Sequence, residues 1–180
     1  MKIHRFLQDF GDKAHARRTR VITAPELTEF PVAFFDGASQ NHIGGSGFIL
    51  WMDEKHYYSG WLGTGIGTNN FAELLIVWAL LFWIKRLNIN AYRVFGDLRI
   101  IIDWLKGKTK INTPSLQYWC RRTRQVLSTM ETISFKHVYK QFNQSIDYLS
   151  KKGLGCPLGI LHFEEFLHHR LVDRGNIRIF

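Results

Sequence analysis

The stretch Val32-Ala33-Phe34-Phe35-Asp36-Gly37-Ala38-Ser39 decides the fold. Four apolar residues in succession, two of them aromatic, suit a strand covered on both faces, and the Asp-Gly pair that follows is a turn signal. The strand therefore carries a carboxylate, Asp36, to its end. Taken alone, such an acid does no more than bond to turn amides. Chemistry requires other acids to converge on it.

Working outward, Gln40-Asn41-His42-Ile43 reads as a loop, and Gly44-Gly45-Ser46-Gly47 leads into Phe48-Ile49-Leu50-Trp51. We expect a second strand over about 45–52 and a third over about 56–63, joined through Asp53-Glu54. The close glycines enter a strand instead of opening a helix, which argues against a nucleotide P-loop and for the close approach of a backbone or ligand. Asn69-Asn70 marks an N-cap for a helix to about Arg86. Glu73 falls in its first turn, where an acid gains from the helix dipole. Its neighbours Phe71, Ala72, Leu74 and Leu75 nevertheless predict a buried setting, expensive for a carboxylate without partners.

Tyr92-Arg93-Val94-Phe95-Gly96 reads as a fourth strand closing at Asp97, with a helix over about 98–106. As an isolated feature Asp97 is a plain N-cap. Thr113-Pro114 opens a helix to about Met130, and Ile133 to His137 is a fifth strand. Asn143 opens a last helix, with Asp147 near its start and Gly153 closing it. The resulting division is a basic arm or linker over 1–30, a domain over 31–153, and a tail over 154–180. The tail reads as a short helix near His162 to Arg170 and a candidate strand at Ile177-Arg178-Ile179-Phe180.

A chain of 180 residues with 46% hydrophobic and 14% aromatic residues has ample material for one core. Its longest apolar run, Leu74 to Ile84, is eleven residues, short of the roughly 20 that span a bilayer. With no signal-type stretch at the N-terminus, a soluble intracellular protein without membrane contact is expected, in nucleus or cytoplasm alike. Cys120 and Cys156 make neither a disulfide framework nor a zinc set. Net charge is +9, of which the segment Arg99 to Arg124 holds +6, from seven cations against Asp103. A concentrated basic segment favours a polyanionic partner such as nucleic acid.

If strands one and four are parallel neighbours, right-handed crossovers set their C-terminal ends side by side and bring Asp36 to Asp97, with Glu73 and Asp147 joining from helix starts. Four crowded acids repel one another unless a cation resides among them, and all-oxygen ligands suit Mg²⁺ or Mn²⁺ better than zinc. Such a cluster is the expected host of two metals about 4 Å apart in phosphoryl chemistry.

The motifs Phe35-Asp36-Gly37-Ala38-Ser39 with Gly44-Gly45-Ser46-Gly47, Asn69-Asn70-Phe71-Ala72-Glu73, Val94-Phe95-Gly96-Asp97, and His137-Val138 followed by Asn143 and Asp147 resemble type 1 ribonuclease H. More narrowly, they resemble the plant-type ribonuclease H-like domain of reverse-transcriptase polyproteins of non-LTR retroelements and related plant proteins. The resemblance spans about 32–153. It implies an α/β ribonuclease H-like fold, a five-stranded mixed sheet of order 3-2-1-4-5 flanked by helices. It further implies metal-dependent endonuclease cleavage of the RNA strand of RNA:DNA hybrids, with Asp36, Glu73, Asp97 and Asp147 as ligands of two Mg²⁺ ions, Mn²⁺ being the alternative.

His137 resembles the family's histidine that assists proton transfer or product release. Asn41, Asn70, Asn143 and Gln144 become candidates for minor-groove contact, where 2′-hydroxyls mark the RNA strand. Since no separate basic protrusion is visible, Lys106, Lys108, Arg121 and Arg122 are left to grip the duplex. A monomer is expected, alone or as part of a larger reverse-transcriptase-related protein. Two other readings stay open: a catalytically silent nucleic-acid-binding module that kept the carboxylates, and a structural domain acting through its arm and tail.

Overall fold

The computed structural model describes residues 30–138 and 144–180, with only the backbone of Gln144 and Ser145. The N-terminal arm and Asn143 lie outside the described residues. Strand β1 (Val32–Gln40) turns back into β2 (Ile43–Trp51), which turns into β3 (His56–Ile66), an antiparallel meander. Helix α1 (Asn69–Arg86) crosses over to β4 (Ala91–Gly96), which lies parallel to β1. Helices α2 (Arg99–Leu105) and α3 (Pro114–Leu127) lead to β5 (Thr132–His137), parallel to β4, and helix α4 (Gln144–Gly153) follows. Parallel neighbours need such helical crossovers, whereas the meander needs only short turns.

The expected order 3-2-1-4-5 is present, but the sheet has seven strands, not five: β5-β4-β1-β2-β3-β6-β7. The tail adds β6 (Ile160–Leu167) and β7 (Arg170–Arg178), an antiparallel hairpin on the free edge of β3. The short helix expected near His162 is therefore corrected to a strand. Two features hid it. In β7 an extra residue, Val172, bulges opposite Glu165/Phe166 and interrupts the alternation, and the turn is His168-His169, both at positive φ (50° and 61°). That is the two-residue hairpin geometry which Asn-Gly usually signals. Asn41-His42 closes the β1–β2 hairpin in the same way, with φ of 51° and 64°.

Alternation along β1 feeds two cores. Ala33 and Phe35 pack beneath α1, while Val32 and Phe34 face the other side with Ile49, Trp51, Tyr57, Ile146 and Leu149. Helix α1 is apolar all round because the sheet covers one side and α3 another, with Trp78 and Trp119 meeting edge to face at 5.4 Å. The Leu74–Ile84 run is thus a buried helix interior. Among the described residues no helix is long and apolar enough to cross a membrane. Both cysteines are free thiols.

The glycines of β2 admit a backbone. A Cβ on Gly47 would lie 2.4 Å from Leu149 Cβ and 2.8 Å from its carbonyl carbon, and one on Gly45 would lie 2.4 Å from Ser150 O and Leu154 N. Helix α4 rests directly on this floor, which positions its first turn.

Candidate active site

Asp36 is buried within β1, and its Oδ1 accepts a hydrogen bond from Gly37 N at 2.9 Å. The parallel register pairs Phe35 with Gly96, so the next residues along, Asp36 and Asp97, come side by side. Glu73 reaches them from α1. The helix is capped by Thr68, one residue earlier than expected, whose hydroxyl accepts from Phe71 N at 3.3 Å. Glu73 therefore sits in the second turn, past the reach of a dipole explanation, and is 1% exposed. Asp97 is likewise no N-cap, a place held by Leu98. A Cβ at Gly37 would lie 2.6 Å from Glu73 N and 2.7 Å from its Cγ. Only glycine lets α1 press this side chain against β1.

One carboxylate oxygen from each of Asp36, Glu73 and Asp97 lies within 4.8 Å of the others. At an effective dielectric near 20, each ionised pair repels by about 3 kcal/mol or more. The fold holds them together through backbone pairing and helix packing, so the repulsion is built in. A hard divalent cation offsets it, and the all-oxygen donor set fits Mg²⁺ or Mn²⁺.

Asp147, the fourth predicted ligand, is not in that group of three. It lies in the first turn of α4 with Oδ2 2.7 Å from Lys151 Nζ, an i,i+4 pair. His137 ends β5 opposite Gly96, and its Nε2–H donates to the Asp97 carbonyl at 2.9 Å. The ring is thereby tied to the main chain of Asp97. Asn41 occupies the β1–β2 turn and Asn70 the second position of α1. Side-chain placement of Asn143 and Gln144 falls outside the described residues.

Lys106 and Lys108 are exposed past the end of α2, and Arg121 is exposed on α3. Arg122 has a different setting. Its guanidinium stacks 4.9 Å from the Trp78 ring and 5.0 Å from Trp119, and donates to Tyr118 Oη at 3.2 Å. It is engaged by the fold, with contacts that ring planes and charge favour. Residues not singled out above complete the basic surface. An open groove of about 840 Å³ between the end of α2 and α3 is lined by Lys110, Arg121, Arg124, Gln117 and Gln125. The spacing of 117, 121, 124 and 125 is one helical face, which was legible in the sequence. Cys120 also lines it, but burial pushes its thiol pKa up, Arg124 opposing, and Sγ points to the Trp104 carbonyl.

A profile of the reverse transcriptase-like family matches residues 34–153. This span runs from β1 to the end of α4 and holds all four acids. The chain belongs to that family. As a ribonuclease H-like domain of reverse transcriptase-related proteins, it superposes on RNase H1 of the archaeon Halobacterium salinarum with a TM-score of 0.64 and 26% identity, covering 68% of this chain and 96% of that one. The N-terminal RNase H domain of a Mycobacterium tuberculosis protein aligns at a TM-score of 0.62 and 21% identity, over 69% and 94%. LC11-RNase H1, isolated from compost and solved with an RNA/DNA hybrid, gives 0.62 and 17%, over 68% and 95%. No protein of curated function matches the sequence.

The capping of α1 in this ribonuclease H-like domain can be checked directly. Thr68→Ala lowers stability by about 1 kcal/mol, a fall in melting temperature of roughly 2–4 °C. Thermal denaturation followed by circular dichroism measures it, and an unchanged transition removes Thr68 from the account of how Glu73 is placed.

Proposed function

We propose that this domain is a metal-dependent endoribonuclease that hydrolyses the RNA strand of RNA:DNA hybrids. The observation that carries the reading is the built-in convergence of Asp36, Glu73 and Asp97 within 4.8 Å, just past the point where the parallel pairing of β1 and β4 ends. Membership of the reverse transcriptase-like family supports it, as does the fold shared with RNase H1 proteins. The same family supports a place within a larger reverse-transcriptase-related protein; in this reading the domain itself acts as a monomer.

Asp36, Glu73 and Asp97 would hold two Mg²⁺ ions, joined by Asp147 on exchange of its Lys151 partner. Bound there, such ions supply activation of water and stabilisation of the leaving oxygen in an in-line displacement. The chain's own residues do the rest. His137, anchored at the Asp97 carbonyl, assists proton transfer at the edge of the site. Asn41 and Asn70 offer amides to the minor groove, where the 2′-hydroxyl distinguishes RNA from DNA. Lys106, Lys108, Lys110, Arg121 and Arg124 neutralise phosphates along the α2–α3 side.

The pairing of Asp147 with Lys151 favours one other reading, a silent binding module in which the fourth ligand never engages. A single experiment separates them. Labelled RNA:DNA hybrid is incubated with the protein in Mg²⁺, in Mn²⁺ and in EDTA, beside RNA:RNA and DNA:DNA duplexes. Hybrid-only cleavage that EDTA abolishes is expected. Hybrid that is bound but intact in both metals establishes the silent module instead.

A further inference from the structure

The β6–β7 hairpin lies beyond the family match, which ends at residue 153, and extends the sheet past β3. Its two faces differ in chemistry. Toward α1 it sends Leu161, Phe163 and Ile177 into the core. The acids Glu165 and Asp173, paired in register, share that face, and Glu165 Oε1 accepts from Tyr58 Oη at 2.8 Å and meets His56 Nε2 at 2.7 Å.

On the opposite face, the one α4 covers further inward, the rungs run Trp61–His162–Asn176 and Ser59–Glu164–Arg174, with Arg178 two residues beyond Asn176. Lys152 of α4 sits 3.6 Å above the Trp61 ring and 3.8 Å from Glu164. Arg174, Asn176 and Arg178 are exposed, and among the described residues neither guanidinium is in an ion pair. Cations therefore step outward from Lys151, one helical turn from Asp147, through Lys152 to Arg174 and Arg178 at the sheet edge.

Arg174 and Arg178 are four residues apart on one strand, about 13 Å at the strand rise. A nucleic-acid strand offers a phosphate for every ~3.4 Å of its axis, so both guanidinium groups can meet phosphates of one strand at the same time. A second copy of the chain is a poor occupant of this edge. Antiparallel pairing of β7 with itself about Arg174 would set the Arg174 side chains of the two copies directly opposite each other on one face, and like charges directly opposite destabilise a ladder. The bulge in the hairpin further blunts the edge.

We propose that the hairpin face carrying Arg174, Asn176 and Arg178 is a second backbone-binding surface, gripping phosphates of the duplex held at the carboxylate site independently of its sequence. This inference rests on the reading of the carboxylate site as one that takes a nucleic-acid duplex. The test is binding of a fluorescently labelled RNA:DNA hybrid by anisotropy in EDTA, where the hybrid stays intact, over about 50–200 mM salt. Wild type, Arg174→Ala/Arg178→Ala and the opposite-face control Arg170→Ala are compared, with melting curves to confirm an intact fold.

The double variant is expected to bind about tenfold more weakly at low salt and to lower the slope of log K against log salt by about 1.8, two phosphates' worth. Arg170→Ala keeps the wild-type slope. Equal slopes and affinities in wild type and double variant overturn the proposal while leaving hybrid binding in place. Failure of all three proteins to bind hybrid overturns the underlying reading as well. A double variant that changes only the sedimentation behaviour assigns the face to self-association and likewise overturns it.

Discussion

Asp36→Asn is expected to abolish the proposed hybrid cleavage while leaving the domain folded. The substitution keeps the side chain's shape, and an amide oxygen can still accept the Gly37 N–H that Oδ1 accepts now. What it removes is one charge of the three that converge within 4.8 Å. A divalent cation in an in-line phosphoryl displacement supplies several kcal/mol of charge stabilisation, so losing its seat costs roughly 10³-fold or more in single-turnover rate. Stability moves the other way. With one carboxylate neutralised, repulsion among the acids falls, and the melting temperature is expected to equal or exceed that of the wild type. Mn²⁺ binding followed by titration calorimetry should weaken in parallel with the rate. Cleavage at the wild-type rate would remove Asp36 from the chemistry and, with it, the reading of the site.

Gly47→Ala should be strongly destabilising, through the floor on which α4 rests. A methyl group there meets Leu149 Cβ at 2.4 Å and the backbone of Leu149 and Ser150 at 2.8 and 2.9 Å. Neither strand nor helix can yield by rotating a side chain, because two of the three contacts are main chain. Overpacking of this kind costs about 3 kcal/mol, a fall of on the order of 10 °C in melting temperature for a chain of this size. Helix α4 would lift from β2, carrying Asp147 with it. Cleavage measured well below the new melting temperature should therefore fall too, whereas a mutation that only destabilised the core would spare it. A melting curve like that of the wild type would mean that α4 does not rest on Gly47.

Much of this architecture is written locally. The run Val32 to Phe35 shows as a doubly covered strand because apolar continuity is a nearest-neighbour feature, and the structure buries all four residues completely; the Asp36-Gly37 pair, expected to end the strand, instead stays paired with β2, and the turn comes at Asn41-His42. Helix α1 was legible for the same reason, apart from a one-residue error in its cap. With β1 and β4 as parallel neighbours, the condition on which the expectation rested, their register ends at Phe35 and Gly96 and the residues that follow, Asp36 and Asp97, meet.

Where the reading fell short, the deciding quantity was a distance between segments remote in sequence. Glycines in β2 signalled a close approach without saying of what, because the helix that fills the space begins a hundred residues later. Arg122 looked like one more exposed cation until Trp78 and Trp119 closed around it. The hairpin of the tail was masked by a bulge that breaks its period of two, a local irregularity paid for by pairing with β3.

By itself, then, the sequence determined the central strands through their periodicity, while the strand order and the set of converging acids came with the motifs' resemblance to ribonuclease H. Tertiary structure alone decided that Asp147 stands outside the trio of Asp36, Glu73 and Asp97, and that two further strands widen the sheet. Those outcomes depend on separations of a few ångströms across packed interfaces, and no spacing in the sequence encodes them.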